Sequence, residues 1–582
     1  MSGNRSITIC DDFISALRES LKNTDSNYLD SESVYPLFVD SYNCIESLNE
    51  STNTISWGRR GSGKTHILKA FCDYINNCTD NKSIAIYITC LNLRLASPTK
   101  IYQSTFEATR YYAQSTFEGF IDKLITKFLK KYDSLFDKKF PTVSDEKRES
   151  VKRNTFSRID ALYDLVINGT EFVTGITRKT NKKTSDTSTN TVEVAANTKF
   201  GISNLLPFLN GEVAPSVRNE KETNDDMSEE DTFTIEKTLN FSLIRENISE
   251  LITAMPFDRV YICIDELWAI DRGRERTVQP LFLEYMKRTM FHQQSITLKF
   301  ASIRETTNLN SKLSVENNYG IQSDHDIYEA FNLDTLRINP GSRSCEFIEI
   351  LAQRINFFGN SSYEVDYIKK AIFNNKLNYE TLVELSGGIP RSFLNILKLA
   401  LEAINYKLRQ RFIDSKLLTE IAIKKHDTSH RSDISLVSDS IYKTVYKYIS
   451  STSSNFFIIN NSQFNRLFTD INSLVFNEIL HRIPSDLTPP AIKNEYKAFL
   501  IEGGFYLSVI KSVNKDKYQS IQRKFQHKLP ENLDENYTQF IIDLDKLESE
   551  YIECKLCSKR IPLRHPVYVK YKICPECAND EF

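Results

Sequence analysis

Eight residues between Gly58 and Thr65 have the types and spacing needed to hold a chain of phosphates. They fit the pattern G-x-x-x-x-G-K-[ST] at every fixed position, as Gly58, Arg59, Arg60, Gly61, Ser62, Gly63, Lys64 and Thr65. Glycines let successive backbone N–H groups turn toward an anion, the lysine can reach the β- and γ-phosphates, and the threonine hydroxyl can bind Mg²⁺. The chain has only 17 glycines in 582 residues, so three of them within six residues favour a ligand-binding loop over a plain glycine-rich turn.

A pair of acids, Asp265 and Glu266, follows a continuous apolar run from Val260 to Ile264. Such a run is typical of a strand buried on both faces, and open α/β sheets bind ligands at the carboxyl ends of their strands. We assign Asp265 to Mg²⁺, directly or through water, and Glu266 to the base that polarises an attacking water. Solvated acids at an ordinary strand end are the alternative, and the phosphate loop upstream argues against it.

Two further segments offer polar residues that could contact the bound phosphates. A third apolar run, Ile296 to Ile303, ends among four polar candidates that the sequence leaves equivalent, Ser302, Arg304, Thr306 and Asn308. Farther along, Gly387-Gly388-Ile389-Pro390-Arg391 precedes a helical pattern, and proline is favourable at a helix start. Arg391 then lies on the first turn and can point out of a helical lid, or it is a solvated arginine at a loop-to-helix junction.

The elements that position these residues alternate between strand and helix. Thr54–Trp57 is predicted to run into the phosphate loop as a strand, and a helix over about 66–78 is predicted to leave it. Ile84–Cys90 is predicted as the next buried strand, which completes one βαβ unit. A strong helix with an apolar stripe is predicted at 115–138.

In this order, the phosphate loop, the Asp-Glu strand, the polar third strand and the Gly-Gly-x-Pro-Arg motif resemble an AAA+ ATPase. The lid motif and the single ATPase module are similar to those of origin-recognition and replication-initiator proteins and of the related STAND signalling ATPases. Closer likeness is to bacterial origin-recognition-like ATPases often associated with anti-phage defence, through Trp57–His66, Ile264–Trp268, Gln279-Pro280 and Lys287–Thr289. The resemblance covers about residues 30–430, with a gap around 140–235.

The resemblance implies an α/β fold with a P-loop AAA+ core and parallel sheet, and ATP and Mg²⁺ as cofactors. It implies that the phosphate loop and His66 bind the nucleotide, that Thr65 and Asp265 hold Mg²⁺, and that Arg391 senses the nucleotide for the lid. It places the third strand between the two motif strands, with a polar residue near the γ-phosphate. It also implies a homo-oligomer in which a neighbour supplies an arginine finger, for which the candidates are Arg288, Arg304 and Arg337.

The chain is long enough for several domains. We predict an N-terminal helical lead-in (1–50), an ATPase core (51–340), a helical lid with the sensor arginine (341–430), a winged-helix-like domain (435–548) and a zinc ribbon (549–582). A polar, partly acidic stretch at about 178–231 is predicted to be a flexible insertion in the core. The winged-helix interpretation rests on helical patterns near 441–449, 471–480 and 492–500 and on a strand-like run, Phe505–Ile510, and a generic helical domain is the alternative.

Four cysteines near the end of the chain have the spacing of a structural zinc site. Cys554, Cys557, Cys574 and Cys577 form C-x₂-C-x₁₆-C-x₂-C, which leaves no open coordination position for catalysis. Two disulfides or a redox C-x-x-C are the alternatives. The segment between the pairs is basic with interleaved tyrosines, which fits a phosphate-contacting face and equally a solvated ribbon or a protein dock.

Charge and composition limit the partners and the cellular location that the sequence allows. A net charge of −2 gives no global electrostatic case for nucleic-acid binding, so any such binding must be local. Asp11 and Asp12 interrupt any signal-peptide core, no apolar stretch approaches a membrane span, and the other seven cysteines are scattered. We therefore expect a cytoplasmic protein with reduced cysteines and no membrane partner.

Two functional hypotheses follow. The first is an ATP-hydrolysing AAA+ protein that assembles with ATP and acts on DNA or on a partner effector, in bacterial anti-phage defence. The second is a nucleotide-gated interaction scaffold, with slow or no turnover, that docks an effector through its zinc ribbon. A small-molecule kinase is a third class. No acceptor-pocket motif is visible for it, and the lid motif also argues against it.

Overall fold

The structure of the chain is a computed structural model. It describes residues 9–22, 34–79, 82–93, 105–168, 170–181, 188–192, 216–217, 228–271, 278–312, 318–337, 340–373, 375–429, 436–484, 487–523, 525–530, 533–544, 551–553 and 560–562.

A five-stranded parallel sheet forms the core, in the spatial order β5-β1-β4-β3-β2. Its strands are β1 (Thr54–Trp57), β2 (Ser83–Thr89), β3 (Arg259–Asp265), β4 (Ile296–Ser302) and β5 (Tyr328–Asn332). Every residue of β1 and β4 is buried, as the apolar runs predict for strands covered on both faces. The third strand, β4, lies between the two motif strands β1 and β3, so its predicted placement is confirmed.

Helices cover both faces of this sheet. The core helices are Cys44–Asn49, Lys64–Asp73, Thr105–Lys139, Asp145–Tyr163, Phe241–Ala254 and Val278–Thr289, with the short Leu333–Leu336 after β5. The predicted helix at 115–138 lies within Thr105–Lys139, and its apolar stripe is buried: Phe120, for example, packs edge-on against Phe282 with ring centroids 5.9 Å apart.

The lid, residues 340–429, is helical. Its helices are Pro340–Gly359, Val365–Ile372, Lys376–Leu385, Pro390–Ala403 and Ser415–Ser429. The first helix of the chain, Asp11–Ser20, packs into this lid and not onto the sheet. Arg354 donates to the Ser20 carbonyl at 2.9 and 2.7 Å, and Phe13 lies edge-on to Tyr363 with centroids 5.2 Å apart. This helix therefore packs with the lid, whereas Cys44–Asn49, also within the predicted lead-in, packs against the core.

The C-terminal domain, residues 436–544, combines helices with a small antiparallel sheet in the order β6-β8-β7. The strands are β6 (Phe456–Asn460), β7 (Leu480–Arg482) and β8 (Tyr496–Ile501). The helices are Leu436–Thr452, Asn461–Arg466, Phe468–Phe476, Pro490–Glu495, Gly503–Val513, Lys515–Arg523 and Leu533–Asn536.

Two expectations inside this domain are wrong. The helix predicted at 492–500 ends at Glu495 and gives way to β8, and the strand-like run Phe505–Ile510 is helical. Glu502 explains the second difference, because its side chain caps the helix by accepting from the Phe505 N–H at 2.6 Å. The bulky apolar residues that follow are buried in the core that this domain shares with the lid, so burial overrides their strand propensity.

The insertion in the core contains a four-stranded antiparallel sheet, formed by Thr170–Asn181, Ser188–Val192, Ser216–Val217 and Ser228–Thr238. The sequence did not predict these strands. Most of the stretch predicted to be flexible, at about 178–231, lies outside the described residues, as do Cys554, Cys557, Cys574 and Cys577. Two small hairpins pair Asn310–Lys312 with Asn318–Gly320 and Tyr551–Glu553 with Arg560–Pro562.

No helix in the described part of the chain is long and apolar enough to cross a membrane. Among the same residues, no group of three or more His, Cys, Asp or Glu side chains is placed to hold a metal ion.

Candidate functional site

The phosphate loop joins β1 to the helix Lys64–Asp73 at the carboxyl edge of the sheet. Gly61 and Gly63 have φ angles of +77° and +100°, in the left-handed region that favours glycine. A Cβ at Gly63 would meet nothing within 4 Å, so the loop is open there, whereas one at Gly61 would lie 3.1 Å from Cβ of Arg391. The loop is thus shaped to admit a ligand at one glycine and to touch the lid at the other.

Lys64 is buried at the start of this helix. Its ammonium donates to the carbonyl oxygens of Gly58 at 2.7 Å and Arg59 at 3.0 Å, across the loop. Burial lowers the pKa of Lys64, and the charges of Glu266 and Asp265 oppose that shift. The ammonium therefore lies within the field of both predicted catalytic acids.

Asp265 is fully buried and links the two main motifs. Its Oδ2 accepts from the Thr65 hydroxyl at 2.6 Å and from the Tyr87 hydroxyl at 2.8 Å, and its Oδ1 accepts from the Glu266 N–H at 2.9 Å. The contact with Thr65 joins residues that are 200 positions apart in sequence. The predicted pairing of hydroxyl and carboxylate is therefore formed by the fold.

Tyr87 was not predicted as a site residue. It lies on β2, two residues before Thr89, which is opposite Asp265 in the ladder between β2 and β3. Alternate residues of a strand share a face, so a reading of register would have placed Tyr87 beside the acid. The sequence alone did not show that β2 neighbours β3.

Glu266 has a φ of +58°, in the left-handed region, where a non-glycine residue is strained. Its carboxylate accepts from the indole N–H of Trp268. Burial raises the pKa of Glu266, and the neighbouring Asp265 adds to the shift. A raised pKa and a strained backbone at one acid are typical of a functional carboxylate.

Of the four polar candidates after the third strand, Ser302 contacts Trp268, the residue whose indole bonds to Glu266, but it does not line the cavity above the loop. Its hydroxyl accepts from the Trp268 N–H at 3.2 Å and lies 2.5 Å from the Thr307 hydroxyl. The Arg304 side chain instead pairs with Glu329 on the surface. Thr306 donates to the carbonyl of Ile303 at 3.3 Å.

Arg391 lies on the first turn of the lid helix Pro390–Ala403, as predicted from its motif. Its backbone N–H donates to the Gly61 carbonyl at 3.4 Å, and its side chain lines the same cavity as Lys64 and Glu266. The lid therefore contacts the phosphate loop directly through this residue.

The three arginine-finger candidates differ in position. Arg337 is buried, pairs with Glu346 and donates to the Ser62 carbonyl of its own loop, so it is not available to a neighbouring subunit. Arg288 and Arg304 have about half of their side chains exposed, at 51% and 50%. Only these two keep the exposure that a residue acting on another subunit requires.

The cavity above the loop receives one wall from a segment that the sequence did not single out. That wall is Leu37, Phe38, Val39, Asp40, Ser41, Tyr42 and Cys44. His66 stands beside it with its ring centroid 5.7 Å from that of Phe38, and burial lowers its pKa to about 4, so its ring is neutral. Gly58 and Arg59 do not line this cavity: Arg59 turns away to Asp334 at 2.9 Å.

The C-terminal domain also reaches the site. The ring of Phe476 packs against Trp268 with centroids 4.9 Å apart, and the Arg60 guanidinium lies 5.1 Å from the centroid of the same ring. Asn472 donates to the carbonyl of Glu305 at 3.1 Å. One turn of the C-terminal domain thus contacts the phosphate loop and the residue that holds Glu266.

No protein-family model matches the sequence, and no curated protein matches it. Among solved structures, a Walker-type ATPase of Pyrococcus abyssi is 14% identical, with a TM-score of 0.35, and the match covers 85% of this chain and 99% of that chain. Drosophila ORC bound to DNA is 8% identical (TM-score 0.29, 88% of this chain, 95% of that chain). The ORC2 protein of Aeropyrum pernix, in ADPNP-ADP complexes, is 10% identical (TM-score 0.30, 85% of this chain, 98% of that chain). Similarity at this level does not identify the function of the chain.

Proposed function

We propose that the chain binds ATP with Mg²⁺ and hydrolyses it, as an AAA+ protein of the initiator type. The observation that carries this proposal is the convergence of Lys64, Thr65, Asp265 and Glu266 at the end of the parallel sheet, with the Thr65 hydroxyl 2.6 Å from Asp265. A hydroxyl, an ammonium and two acids around an open glycine loop are the groups that phosphoryl transfer to water requires.

The residues fit these cofactors. The N–H groups of the loop and the Lys64 ammonium would hold the β- and γ-phosphates, once the lysine exchanges its two carbonyl contacts for phosphate oxygens. Thr65 and Asp265 would hold Mg²⁺, which when bound supplies positive charge to the phosphates. The apolar part of the wall at 37–44 offers a surface against which the adenine ring of ATP could pack.

The roles in hydrolysis follow from position. Glu266, whose pKa is raised, would accept a proton from the water that attacks the γ-phosphorus. Arg391 lines the cavity from the lid and can balance the charge that develops on the phosphate oxygens. Either Arg288 or Arg304 of a neighbouring subunit would complete the site in a homo-oligomer.

The finer parts of the proposal rest on the cysteine spacing and helical patterns of the C-terminal part of the chain and, for anti-phage defence, on the resemblance in sequence. They are a winged-helix-like C-terminal domain and a zinc ribbon on Cys554, Cys557, Cys574 and Cys577, which contact DNA or a partner effector, and a cytoplasmic role in anti-phage defence. Loss of steeply salt-dependent DNA binding on removal of 554–577 would support DNA contact by the tail. Absence of DNA binding at micromolar protein would favour the effector.

A nucleotide-gated scaffold is the second candidate, and one observation favours it. The carboxylate of Glu266 is held by Trp268, whose ring is packed against the C-terminal domain. If Trp268 holds the Glu266 carboxylate in this way, ATP hydrolysis is slow until the C-terminal domain moves. Molecular mass with and without a slowly hydrolysed ATP analogue would show whether the nucleotide drives assembly, and steady-state hydrolysis by the same samples separates the two candidates.

The test of nucleotide use is Lys64→Ala in the full chain. We expect the parent to bind and hydrolyse ATP and the variant to lose both, because the ammonium lies within the loop, where its donors can pass from the Gly58 and Arg59 carbonyls to phosphate oxygens. Lys130→Ala is the matched control, since Lys130 is an exposed lysine on the helix Thr105–Lys139. If the parent ignores adenine nucleotides, or if Lys64→Ala hydrolyses ATP at the parent rate, the proposal is wrong.

A further inference from the structure

A second cavity lies where the core, the lid and the C-terminal domain meet. It shares only Arg337 with the lining of the nucleotide cavity. We call it the junction cavity and define it by six of its lining residues, Arg59, Arg343, His481, Arg482, His527 and Lys528. Each of the three parts of the molecule contributes at least one of them.

The wall of the junction cavity is rich in cations. Arg59, Arg337, Arg343, Arg482 and Lys528 all line it, whereas Asp334 is the only acidic lining residue among those described. The arginines do have carboxylate partners: Arg59 pairs with Asp334 at 2.9 Å, Arg343 with Glu384 at 3.3 Å, Arg482 with Glu305 at 3.8 Å, and Arg337 with Glu346. Three of these four carboxylates stand outside the lining, so the lining itself holds more cationic than acidic side chains.

Three buried nitrogen atoms in this wall form no hydrogen bond of ordinary length and angle with the described part of the chain. Two are the ring nitrogens of His481, which is 3% exposed and whose pKa the backbone of Glu478 raises against the effect of burial. Arg343 is also 3% exposed, and its Nε is without a hydrogen-bond partner. Buried donors without acceptors are rare and costly, and they commonly mark a ligand or ion.

The ring of His481 is held against the lid turn by close packing. A Cβ at Gly387 would lie 2.2 Å from its Cε1, so only glycine leaves room for the ring. Burial holds the pKa of His481 well below its ordinary value, and Arg59 adds to the shift. An anion in the cavity would accept from the ring and offset both effects.

We propose that the junction cavity binds a terminal phosphate group, either inorganic phosphate or the monoester of a small metabolite. Guanidinium donors from core, lid and C-terminal domain surround the space, and a terminal phosphate offers three acceptor oxygens to match them. The ring nitrogens of His481 and Nε of Arg343 lie in buried positions, which suits a terminal phosphate better than a phosphodiester in a continuous strand. This proposal does not depend on ATP hydrolysis at the other site.

The test is calorimetric titration of the full chain with inorganic phosphate, and separately with AMP, at constant ionic strength. The nucleotide cavity is first saturated with a slowly hydrolysed ATP analogue and Mg²⁺, and Lys64→Ala without the analogue provides a second background. We expect phosphate to bind in both backgrounds. Failure of ATP binding would leave the Lys64→Ala arm intact, so the two proposals fail separately.

The variants locate the site. His481→Phe keeps an aromatic ring but removes its N–H, and Lys528→Gln removes an exposed cation, which leaves the fold less disturbed. Each is expected to weaken phosphate binding by at least about tenfold, the usual effect of losing a hydrogen bond to a charged group. Lys515→Gln, an exposed lysine outside the cavity, is the matched control and should leave the affinity unchanged.

The titrations distinguish the possible ligands. Phosphate and AMP binding together indicate a monoester ligand, and phosphate alone indicates the free ion; both support the site. Absence of phosphate binding in both backgrounds, or unchanged affinity in Lys528→Gln, overturns it. Displacement of phosphate by a short DNA duplex in the parent but not in Lys528→Gln would also overturn it, because it would assign the cavity to phosphodiesters.

Discussion

The nucleotide cavity and the junction cavity are both lined by buried charged groups, but their hydrogen bonding differs. In the nucleotide cavity the chemically active side chains are bonded to the chain itself: Lys64 to two carbonyls, Thr65 to Asp265, and Glu266 to Trp268. In the junction cavity the ring nitrogens of His481 and Nε of Arg343 form no hydrogen bond of ordinary length and angle with the described residues. A ligand in the nucleotide cavity would replace hydrogen bonds that already exist, whereas a ligand in the junction cavity would form new ones.

Burial shifts the pKa values of the acid in one cavity and the histidine in the other in opposite directions. Burial raises the pKa of Glu266 and lowers that of His481, because in both cases it disfavours the charged form. At Glu266 the result is an acid whose proton affinity suits a general base. At His481 the result is a ring whose neutral form is favoured.

The largest effect is expected for Glu266→Gln. The amide cannot accept a proton from water, so hydrolysis should fall by about 10²–10⁴-fold, the usual contribution of a general base. ATP binding should persist, because Lys64, Thr65 and Asp265 are unchanged. Turnover and ATP affinity are measured on the same preparation.

Glu246→Gln is the control for this change, since Glu246 is exposed on the helix Phe241–Ala254. Phosphate binding at the junction cavity should be unaffected in both variants. Hydrolysis by Glu266→Gln at the parent rate would remove Glu266 from the mechanism.

The next effect is on stability, at the turn beside the junction cavity. Gly387 has a φ of +60°, and a Cβ there would lie 2.2 Å from Cε1 of His481. Gly387→Ala should therefore lower the free energy of unfolding by roughly 2–4 kcal/mol, the sum of left-handed strain and a clash in a packed site. Thermal and denaturant unfolding measure the loss.

Gly388→Ala separates the two causes. Gly388 has a φ of +79°, but the nearest atom to its Cβ is Cδ of Arg343 at 3.2 Å, at the flexible part of a side chain. It should lose only the strain, about 1–2 kcal/mol. Equal losses in the two alanine variants would contradict the close packing of His481 on the turn.

The core and the catalytic pairing were predictable because they depend on local patterns. The strand β1, the loop and Lys64–Asp73 follow from one motif, and β3 with Asp265 follows from a buried apolar run that ends in acids. Parallel strands gather their carboxyl ends at one edge, so two such motifs must meet there.

What could not be predicted depends on packing between distant segments. Tyr87 reaches Asp265 only because β2 neighbours β3, and the wall at 37–44 reaches the nucleotide cavity only through the folded position of the N-terminal segment. The run Phe505–Ile510 has the residues of a strand, and the cap at Glu502 together with burial against the lid makes it a helix. The junction cavity has no sequence signature, since its lining comes from three separate parts of the chain.

A moderate effect is expected when Asp265 loses one of its two hydroxyl partners. Tyr87→Phe removes the donor at 2.8 Å and leaves the Thr65 contact, so the orientation of Asp265 becomes less fixed. The Mg²⁺ concentration needed for half-maximal hydrolysis should rise by roughly tenfold, as for other partners of metal ligands.

Tyr132→Phe is the matched control for this variant, because Tyr132 is a buried tyrosine whose hydroxyl lies 3.4 Å from that of Thr155, away from the site. An unchanged Mg²⁺ requirement in Tyr87→Phe would show that Thr65 alone fixes the carboxylate.

The smallest effect expected is a shift in the pH dependence of hydrolysis. Glu266 acts as a base only when it is ionised, and burial and Asp265 raise its pKa. As the pH is lowered, the rate of hydrolysis should therefore begin to fall at a pH above the ordinary pKa range of glutamate. Trp268 opposes that rise, since its indole N–H stabilises the carboxylate. Trp268→Phe keeps a ring against Phe476 but removes the donor, so the acidic limb of the kcat profile should move to higher pH.

Trp57→Phe is the matched control, because the chain has two tryptophans and Trp57 lies at the end of β1 without a contact to Glu266 among those described. ATP affinity measured over the same pH range separates protonation of the base from loss of substrate. A limb that stays in place in Trp268→Phe would mean that Trp268 positions Glu266 without tuning it. A limb that moves to lower pH would contradict the assignment of Glu266 as the titrating base, because loss of a donor to a carboxylate can only make it harder to ionise.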